Sequence, residues 1–342
     1  MADVFEDFRT MCLEAYKLDP AYYLSSPQLS WDAMLLETGV KLELLSDPAM
    51  FRIFDSGIRG GVAMITTRYA HANNKSMGEC MDPKRPTSWI KGLDANNLYG
   101  LAMSQYLPYG GFKFLEEEEF KDINWQTQKD EQHIGYAVVA DLVYPPELHD
   151  DHNDFPLAPE RMIVKEEWLS EKQVTIRAQY NMPRGDSSTK LIPNLFDKHE
   201  YIMDYRNLKF YLDHGLKLRK IYAVIQYKQR PWMKSYILLN QKHRQAAKTD
   251  NQKNLFKLMN NAVFGKTCEN QKKRTNIKLV NDQKKFEELL RKPEVMDVRI
   301  FEDGKDLCAV ELQKLRIKIT KPSYVGFVIL ELAKLHMYRY FE

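Results

Sequence analysis

The sequence predicts a mixed α+β body from which two antiparallel helices project. Three observations predict this fold class: apolar residues recur at steps of three and four between residues 5 and 57, stretches with strand character follow, and a long helical pattern is interrupted once, at residues 249–251. Hydrophobic residues make up 44% and charged residues 28% of the 342 residues. These values are typical of folded domains and argue against a disordered or low-complexity chain.

The individual elements are predicted from periodicity, capping residues and turn signals. Helices are expected at residues 5–16, 27–39, 46–57, 201–214, 232–247, 252–264 and 324–340. Strands are expected at residues 62–65, 89–93, 136–143 and 220–227, and strand character also marks residues 298–319. Between these elements, residues 144–195 have a loop-like composition, with six prolines and a turn cluster at residues 185–188.

The basic residues are concentrated in one part of an almost neutral chain. The formal net charge is only +3, yet the stretch from Met233 to Arg274 contains ten Lys or Arg against two acids, Asp250 and Glu269. Such a block indicates either a local binding site for a polyanion or a solvated helix face. Charge alone does not decide between the two.

The cysteines and the hydropathy pattern indicate an intracellular protein. Cys12, Cys80, Cys268 and Cys308 lie far apart without metal-ligand spacing, so we expect reduced thiols. The sequence contains no run of about 18 apolar residues, which a membrane helix would need, and no membrane partner is expected. Nucleus, mitochondrion and viral factory remain open as compartments.

The segment at residues 92–100 places an acidic residue between a predicted strand and a predicted helix. A carboxylate there, on Asp94, would project into a cleft and offer the hard oxygen ligand that Mg²⁺ prefers. Asp94 could instead simply cap the helix that follows it, since Asp is a favoured N-cap residue. By contrast, the His- and Asp-rich stretch at residues 149–154 lies in a polar loop, and we expect no metal site there.

Two segments resemble the sequence motifs of the family B DNA polymerases. Residues 94–100, D-A-N-N-L-Y-G, resemble motif A, D-x-x-S-L-Y-P, with Asn97 in place of Ser and Gly100 in place of Pro. Residues 257–265, K-L-M-N-N-A-V-F-G, resemble motif B, K-x-x-x-N-S-x-Y-G, with Ala262 in place of Ser and Phe264 in place of Tyr.

A third segment completes the resemblance. Residues 58–61, I-R-G-G, resemble the Y-x-G-G hinge of the protein-primed branch, and all three segments occur in the family's order. The amino-acid sequences of these segments are similar to those of polymerases from Maverick or Polinton mobile elements, linear organellar plasmids and related viruses. The resemblance covers nearly the whole chain.

The resemblance implies a polymerase palm built on an antiparallel sheet with helices, helical-hairpin fingers and N-terminal linker helices. It implies template-directed DNA synthesis from dNTPs by two-metal nucleotidyl transfer. The implied divisions are the end of an exonuclease module with linker helices at 1–60, a first palm part at 61–230 with an insertion at about 144–195, and fingers at 231–266. A second palm part follows at 267–342, with an insertion at 275–319. The implied partners are primer-template DNA, dNTP and a terminal protein primer.

The resemblance also assigns roles to single residues. Asp94 and the backbone carbonyl of Ala95 would hold Mg²⁺, and Tyr99 would lie under the sugar and exclude a 2′-hydroxyl group. The residues that would contact the nucleotide are Leu98, Tyr99, Arg244, Lys248, Lys253, Lys257 and Asn261. The residues that would contact DNA are Arg59, Gly60, Gly61, Phe264 and Gly265, with Arg68 as a further phosphate candidate.

The spacing of the basic residues supports a phosphate site independently of the resemblance. Lys253 and Lys257 are four residues apart, as are Arg244 and Lys248. Like charges at this spacing cost a helix a few tenths of a kcal/mol, so helix stability does not explain them. A bound triphosphate would offset that cost, whereas a solvated basic face is the alternative.

The family's second metal carboxylate comes from motif C, typically D-T-D, which does not occur in this sequence. The resemblance therefore implies an incomplete fragment that is inactive or nearly so by itself, with the second carboxylate outside it. The alternative is a catalytically dead remnant that binds DNA or nucleotide without chemistry.

Overall fold

The computed structural model describes residues 2–67, 69–182, 188–301, 307–316 and 319–341. Arg68 and residues 185–187 of the predicted turn cluster lie outside these ranges. In the described part of the chain the α-helices are α1 (Ala2–Tyr16), α2 (Ser26–Thr38), α3 (Pro48–Gly57), α4 (Leu98–Met103), α5 (Glu117–Phe120), α6 (His149–His152), α7 (Glu171–Gln179), α8 (Tyr205–Asp213), α9 (Lys234–Ala246), α10 (Asp250–Thr267), α11 (Gln283–Leu290) and α12 (Ser323–Phe341). The strands are β1 (Leu107–Phe114), β2 (Ile134–Val143), β3 (Glu160–Ile163), β4 (Thr189–Ile192), β5 (Lys198–Asp204), β6 (Lys217–Arg230), β7 (Thr275–Val280), β8 (Val295–Ile300) and β9 (Cys308–Gln313).

A four-stranded antiparallel sheet with the order β1-β6-β2-β5 forms the centre of the fold. Its inner face consists of fully buried side chains such as Val138 and Val224, which the alternating patterns of β2 and β6 place on one side. The strands predicted at 136–143 and 220–227 are confirmed. Two smaller antiparallel sheets, β3-β4 and β7-β9-β8, lie within the segments predicted as insertions.

Helix α12 is the main support of this sheet. It contacts β1, β5, α3, α4, α8 and α10, and its residues from Tyr324 to Leu335 are buried. Two glycines permit the close crossings. A Cβ atom on Gly57 would lie 2.7 Å from the Phe327 ring, and one on Gly326 would lie 2.5 Å from the Cys268 sulfur.

The predicted helical hairpin is confirmed in α9 and α10. Thr249 caps α10 in a capping box with Gln252, which explains why the polar break at 249–251 separates two helices. The hairpin packs against α2 instead of standing free. Its interior contains a polar contact in which the Asn240 Nδ2 donates to the Asn260 Oδ1 at 2.7 Å, so Asn260 belongs to the buried face of the hairpin.

Several predicted elements are wrong. Residues 62–65 and 89–93 are not strands, and Ile65 and Leu93 are 80% and 84% exposed. A strand needs a neighbour for its backbone hydrogen bonds, and in this region the described residues supply only the isolated bridge between Asn73 and Ser88. The helix predicted at 201–214 begins at Tyr205, because the preceding residues pair with β2 as strand β5.

The mixed α+β fold class predicted from the sequence is confirmed, with an antiparallel sheet, a helical hairpin and helices at the start of the chain. None of the helices within the described ranges is long and apolar enough to cross a membrane.

Candidate functional site

The turn that follows Asp94 is built by a residue in the left-handed backbone region. Asn97 has φ 55° and ψ 49° and is the N-cap residue of α4. Asn tolerates this conformation better than most residues do. Because Asn97 occupies the cap position, Asp94 is not the residue that caps the helix, and its carboxylate remains available for another role.

Asn97 and Gly100 depend on each other. A Cβ atom on Gly100 would lie 2.0 Å from the Asn97 Nδ2, because the Asn97 side chain folds back over the first turn of α4. No real side chain tolerates so short a contact without movement. The two departures from the family's motif A, at Asn97 and Gly100, are therefore one coupled change in packing.

We expect Gly100→Ala to lower the free energy of unfolding by up to about 1 kcal/mol. The added methyl group must displace the Asn97 side chain, and the helix preference of alanine offsets part of that cost. Urea unfolding followed by circular dichroism measures this change. Gly265→Ala is the matched control, because a Cβ atom on Gly265 meets no atom within 4 Å and alanine favours the helix by about 1 kcal/mol. The double variant with Asn97→Ser should recover stability, and a Gly100→Ala protein as stable as the wild type would contradict the coupling.

An aromatic stack joins the two motif segments. The rings of Tyr99, in α4, and Phe264, in α10, lie 4.2 Å apart at centroid level with an interplanar angle of 15°. Both side chains are partly buried. The contact places the start of α4 against the second half of α10, so the segments that resemble motif A and motif B meet in space.

Two neighbouring cavities lie beside Asp94. One, of about 450 Å³, is lined by residues that include Gly61, Asp94, Tyr99 and Lys334. The other, of about 390 Å³, is lined by residues that include Asp94 and Asp154. Asp94 and Ala95 border both cavities. The sequence does not predict this position of Asp154, since nothing in the local pattern shows that α12 and the loop after α6 bring it to the same cavity.

The donor set around Asp94 fits a hard cation in part. The carboxylate is exposed and, within the described residues, takes part in no hydrogen bond or ion pair, and Ala95 lines the same cavity. Carboxylate and carbonyl oxygens suit Mg²⁺, which usually keeps water and substrate phosphate as its other ligands. In the described ranges no three His, Cys, Asp or Glu side chains converge on a metal position.

Helix α10 presents one exposed face at a spacing of four residues. Lys253, Lys257, Asn261 and Gly265 are exposed along this face, while Asn260 points into the hairpin. The two adjacent asparagines therefore differ in their surroundings, since Asn260 is buried in the hairpin and Asn261 is exposed. Of the other predicted nucleotide contacts, Arg244 is exposed near the end of α9, and Lys248 is exposed in the connection between α9 and α10. None of the basic residues predicted to hold the triphosphate lines either cavity beside Asp94.

Arg59 lies in the interior, in contrast to the two glycines that follow it. It is 6% exposed, donates to the Ile202 carbonyl from both terminal nitrogens at 2.8 and 2.6 Å, and lies over the Tyr201 ring at 3.9 Å. This arrangement favours a structural role over the predicted phosphate contact. Gly60 and Gly61 are exposed, and a Cβ atom on either would meet nothing within 4 Å.

Comparison with known proteins identifies the family of the chain. The family described as DNA polymerase type B, organellar and viral, matches residues 78–342, and the chain belongs to this family. No curated protein matches the sequence.

A solved polymerase structure has a similar fold. The structure of phi29 DNA polymerase complexed with primer-template DNA is similar with a TM-score of 0.50 and 14% sequence identity, and the match covers 96% of this chain and 46% of that one. The orthorhombic crystal form of phi29 DNA polymerase gives a TM-score of 0.48 at 13% identity, covering 94% of this chain and 46% of that one. The chain spans less than half the length of these polymerases.

Proposed function

We propose that this chain forms the palm and fingers of a template-directed DNA polymerase of the protein-primed type. The observation that carries the proposal is the stack of Tyr99 on Phe264 beside the cavity that Asp94 borders. The Tyr99 ring and Asp94 line one cavity, and Phe264 belongs to the helix that presents Lys253 and Lys257. We propose that residues 1–60 form the linker helices, that residues 61–230 and 267–342 form the palm, and that residues 231–266 form the fingers.

The nucleotide would lie beside the Tyr99–Phe264 stack, in the cavity that Asp94 borders. The ring would contact the sugar, with Leu98 beside it, and the ring's bulk would disfavour a 2′-hydroxyl group. The triphosphate would follow the exposed basic residues of the hairpin, with Asn261 near the new base pair. The basic residues are Arg244, Lys248, Lys253 and Lys257.

Asp94 and the Ala95 carbonyl would hold Mg²⁺, which when bound neutralises charge on the transferred phosphoryl group and lowers the pKa of the primer 3′-hydroxyl. We propose that the second carboxylate of this site comes from a segment outside the sequence, and that the chain by itself extends primers slowly or not at all. Gly60, Gly61, Phe264 and Gly265 would approach DNA through backbone and ring contacts.

Lys257→Gln tests the nucleotide site directly. We expect the affinity for Mg²⁺-dNTP to fall about tenfold, since a charge-assisted hydrogen bond to phosphate contributes about 1.5–3 kcal/mol. Equilibrium titration with a fluorescent dNTP analogue measures the change. Lys284→Gln is the matched control, because Lys284 is equally exposed but lies on α11, outside the hairpin.

The outcomes separate the polymerase from its alternative. Equal losses for the two lysine variants would overturn the assignment of the hairpin to the triphosphate. Rapid primer extension by this chain alone would refute the proposal that the second carboxylate lies elsewhere. A complete gene product that binds DNA and dNTP but never extends a primer would instead identify a binding module.

A further inference from the structure

Three charged side chains form a network in the interior next to the larger cavity. Arg59, Glu331 and Lys334 are 6%, 1% and 5% exposed. The Lys334 Nζ lies 3.1 Å from the Glu331 Oε1, and the Arg59 Nη1 lies 3.9 Å from the same oxygen. Burial lowers the pKa of Lys334, and Glu331 opposes that shift.

The network connects three parts of the chain. Glu331 and Lys334 belong to α12, Arg59 precedes the two glycines, and the Arg59 guanidinium is bound to the Ile202 carbonyl on β5. The Lys334 Nζ also donates to the Arg59 backbone carbonyl at 3.0 Å, which is the last carbonyl before Gly60. The chain is thus fixed on two sides just before it emerges as an open glycine pair.

Stability alone explains this arrangement poorly. Two cations and one carboxylate in the interior carry a desolvation cost, and apolar side chains of similar volume often stabilise a protein as well or better. The Arg59 Nη1 donates to the Gly57 and Ile202 carbonyls, and the Lys334 Nζ donates to the Leu330 and Arg59 carbonyls. These directional bonds give the backbone before Gly60 a fixed direction, which apolar groups would not. That direction sets where Gly61 stands, and Gly61 and Lys334 line the same cavity as Asp94.

We propose that Arg59, Glu331 and Lys334 are positioning residues that hold the Gly60–Gly61 segment at the cavity beside Asp94. Arg59 acts on DNA through this segment and makes no phosphate contact. The DNA part of the inference rests on the proposed function, whereas the positioning of the segment does not.

The salt dependence of single-stranded DNA binding distinguishes positioning from phosphate contact. For Arg59→Lys we expect the affinity to fall about tenfold at every salt concentration, because lysine cannot reproduce the two bonds to Ile202 or the stack on Tyr201. The slope of log K against log salt should stay unchanged. If Arg59 bound a phosphate instead, the results would be the opposite. Arg59→Gln would lower the magnitude of the salt slope by about 0.7, and Arg59→Lys would retain its affinity.

Lys334→Met provides the second variant, since the Lys334 nitrogen is buried and cannot reach DNA in this arrangement. It should reproduce the loss of Arg59→Lys, and the double variant should lose little more than either single one, because both act on one segment. Additive losses would overturn the proposal, as would a changed slope in Arg59→Lys.

A readout without DNA keeps the inference testable if the wild type fails to bind. Thermolysin cleaves before apolar residues, and the exposed stretch at residues 62–65 offers such sites. Both variants should be cleaved there about five times faster than the wild type, with cleavage elsewhere unchanged, since the segment would open locally. Absence of DNA binding by the wild type would refute the proposed function, whereas unchanged cleavage in folded variants would refute the positioning network.

Discussion

In a polypeptide that supplies the proposed second carboxylate, Asp94→Asn is expected to lower the rate of primer extension about a thousandfold. An amide carries no charge and binds Mg²⁺ weakly, so the transferring phosphoryl group would lose about 4 kcal/mol of stabilisation. Binding of primer-template should stay within a factor of two or so of the wild type, since DNA affinity depends on other residues whose Lys and Arg side chains neutralise the DNA phosphates. Single-turnover extension and a DNA titration measure the two quantities.

The metal part of this prediction can be measured on the present chain without turnover. Fe²⁺ in place of Mg²⁺, with peroxide and ascorbate, cleaves the backbone next to its binding site, and cleavage is expected near Asp94 when dNTP is present. Asp94→Asn should abolish that cleavage. Asp122→Asn is the matched control, because Asp122 is equally exposed and borders neither cavity. Cleavage near Asp94 that persists in Asp94→Asn would place the metal on other ligands.

The elements predicted well from the sequence are those whose signals are local. The hairpin α9–α10 follows from periodicity together with Thr249 and Gln252, which form a cap within four residues. Strands β2 and β6 follow from alternating apolar residues that need only one buried face. The family motifs include Tyr99 and Phe264, and in the structure the two segments meet.

The errors concern features that distant residues decide. The apolar runs at 62–65 and 89–93 have strand composition, but a strand exists only where another strand lies beside it, and composition does not reveal that neighbour. Arg59 has the appearance of a phosphate ligand, yet Ile202 and Glu331, far along the chain, supply its partners. Asp154 reaches the cavity for the same reason, through packing that no local pattern encodes.

A second buried ion pair lies at the junction between strand β5 and helix α8. Asp204 is fully buried and accepts from the Arg206 Nε at 2.7 Å and Nη2 at 3.0 Å, and from the Tyr227 hydroxyl at 2.7 Å. Arg206 is 2% exposed, and its Nη1 donates to the Tyr106 carbonyl just after α4. The pair therefore links the sheet to the helix that follows Asp94.

Asp204→Ala should lower the free energy of unfolding by about 3–5 kcal/mol, since it leaves the Arg206 guanidinium buried without a countercharge. Asp250→Ala is the control: it removes the exposed partner of Lys253, at 3.4 Å, and should cost less than about 1 kcal/mol. Urea unfolding measures both. The double variant Asp204→Leu with Arg206→Met should regain part of the loss, because removing both charges leaves neither unpaired. Equal costs for Asp204→Ala and Asp250→Ala would show that the Arg206 charge reaches water in the folded protein, and the sheet would then owe its placement under α4 to apolar packing alone.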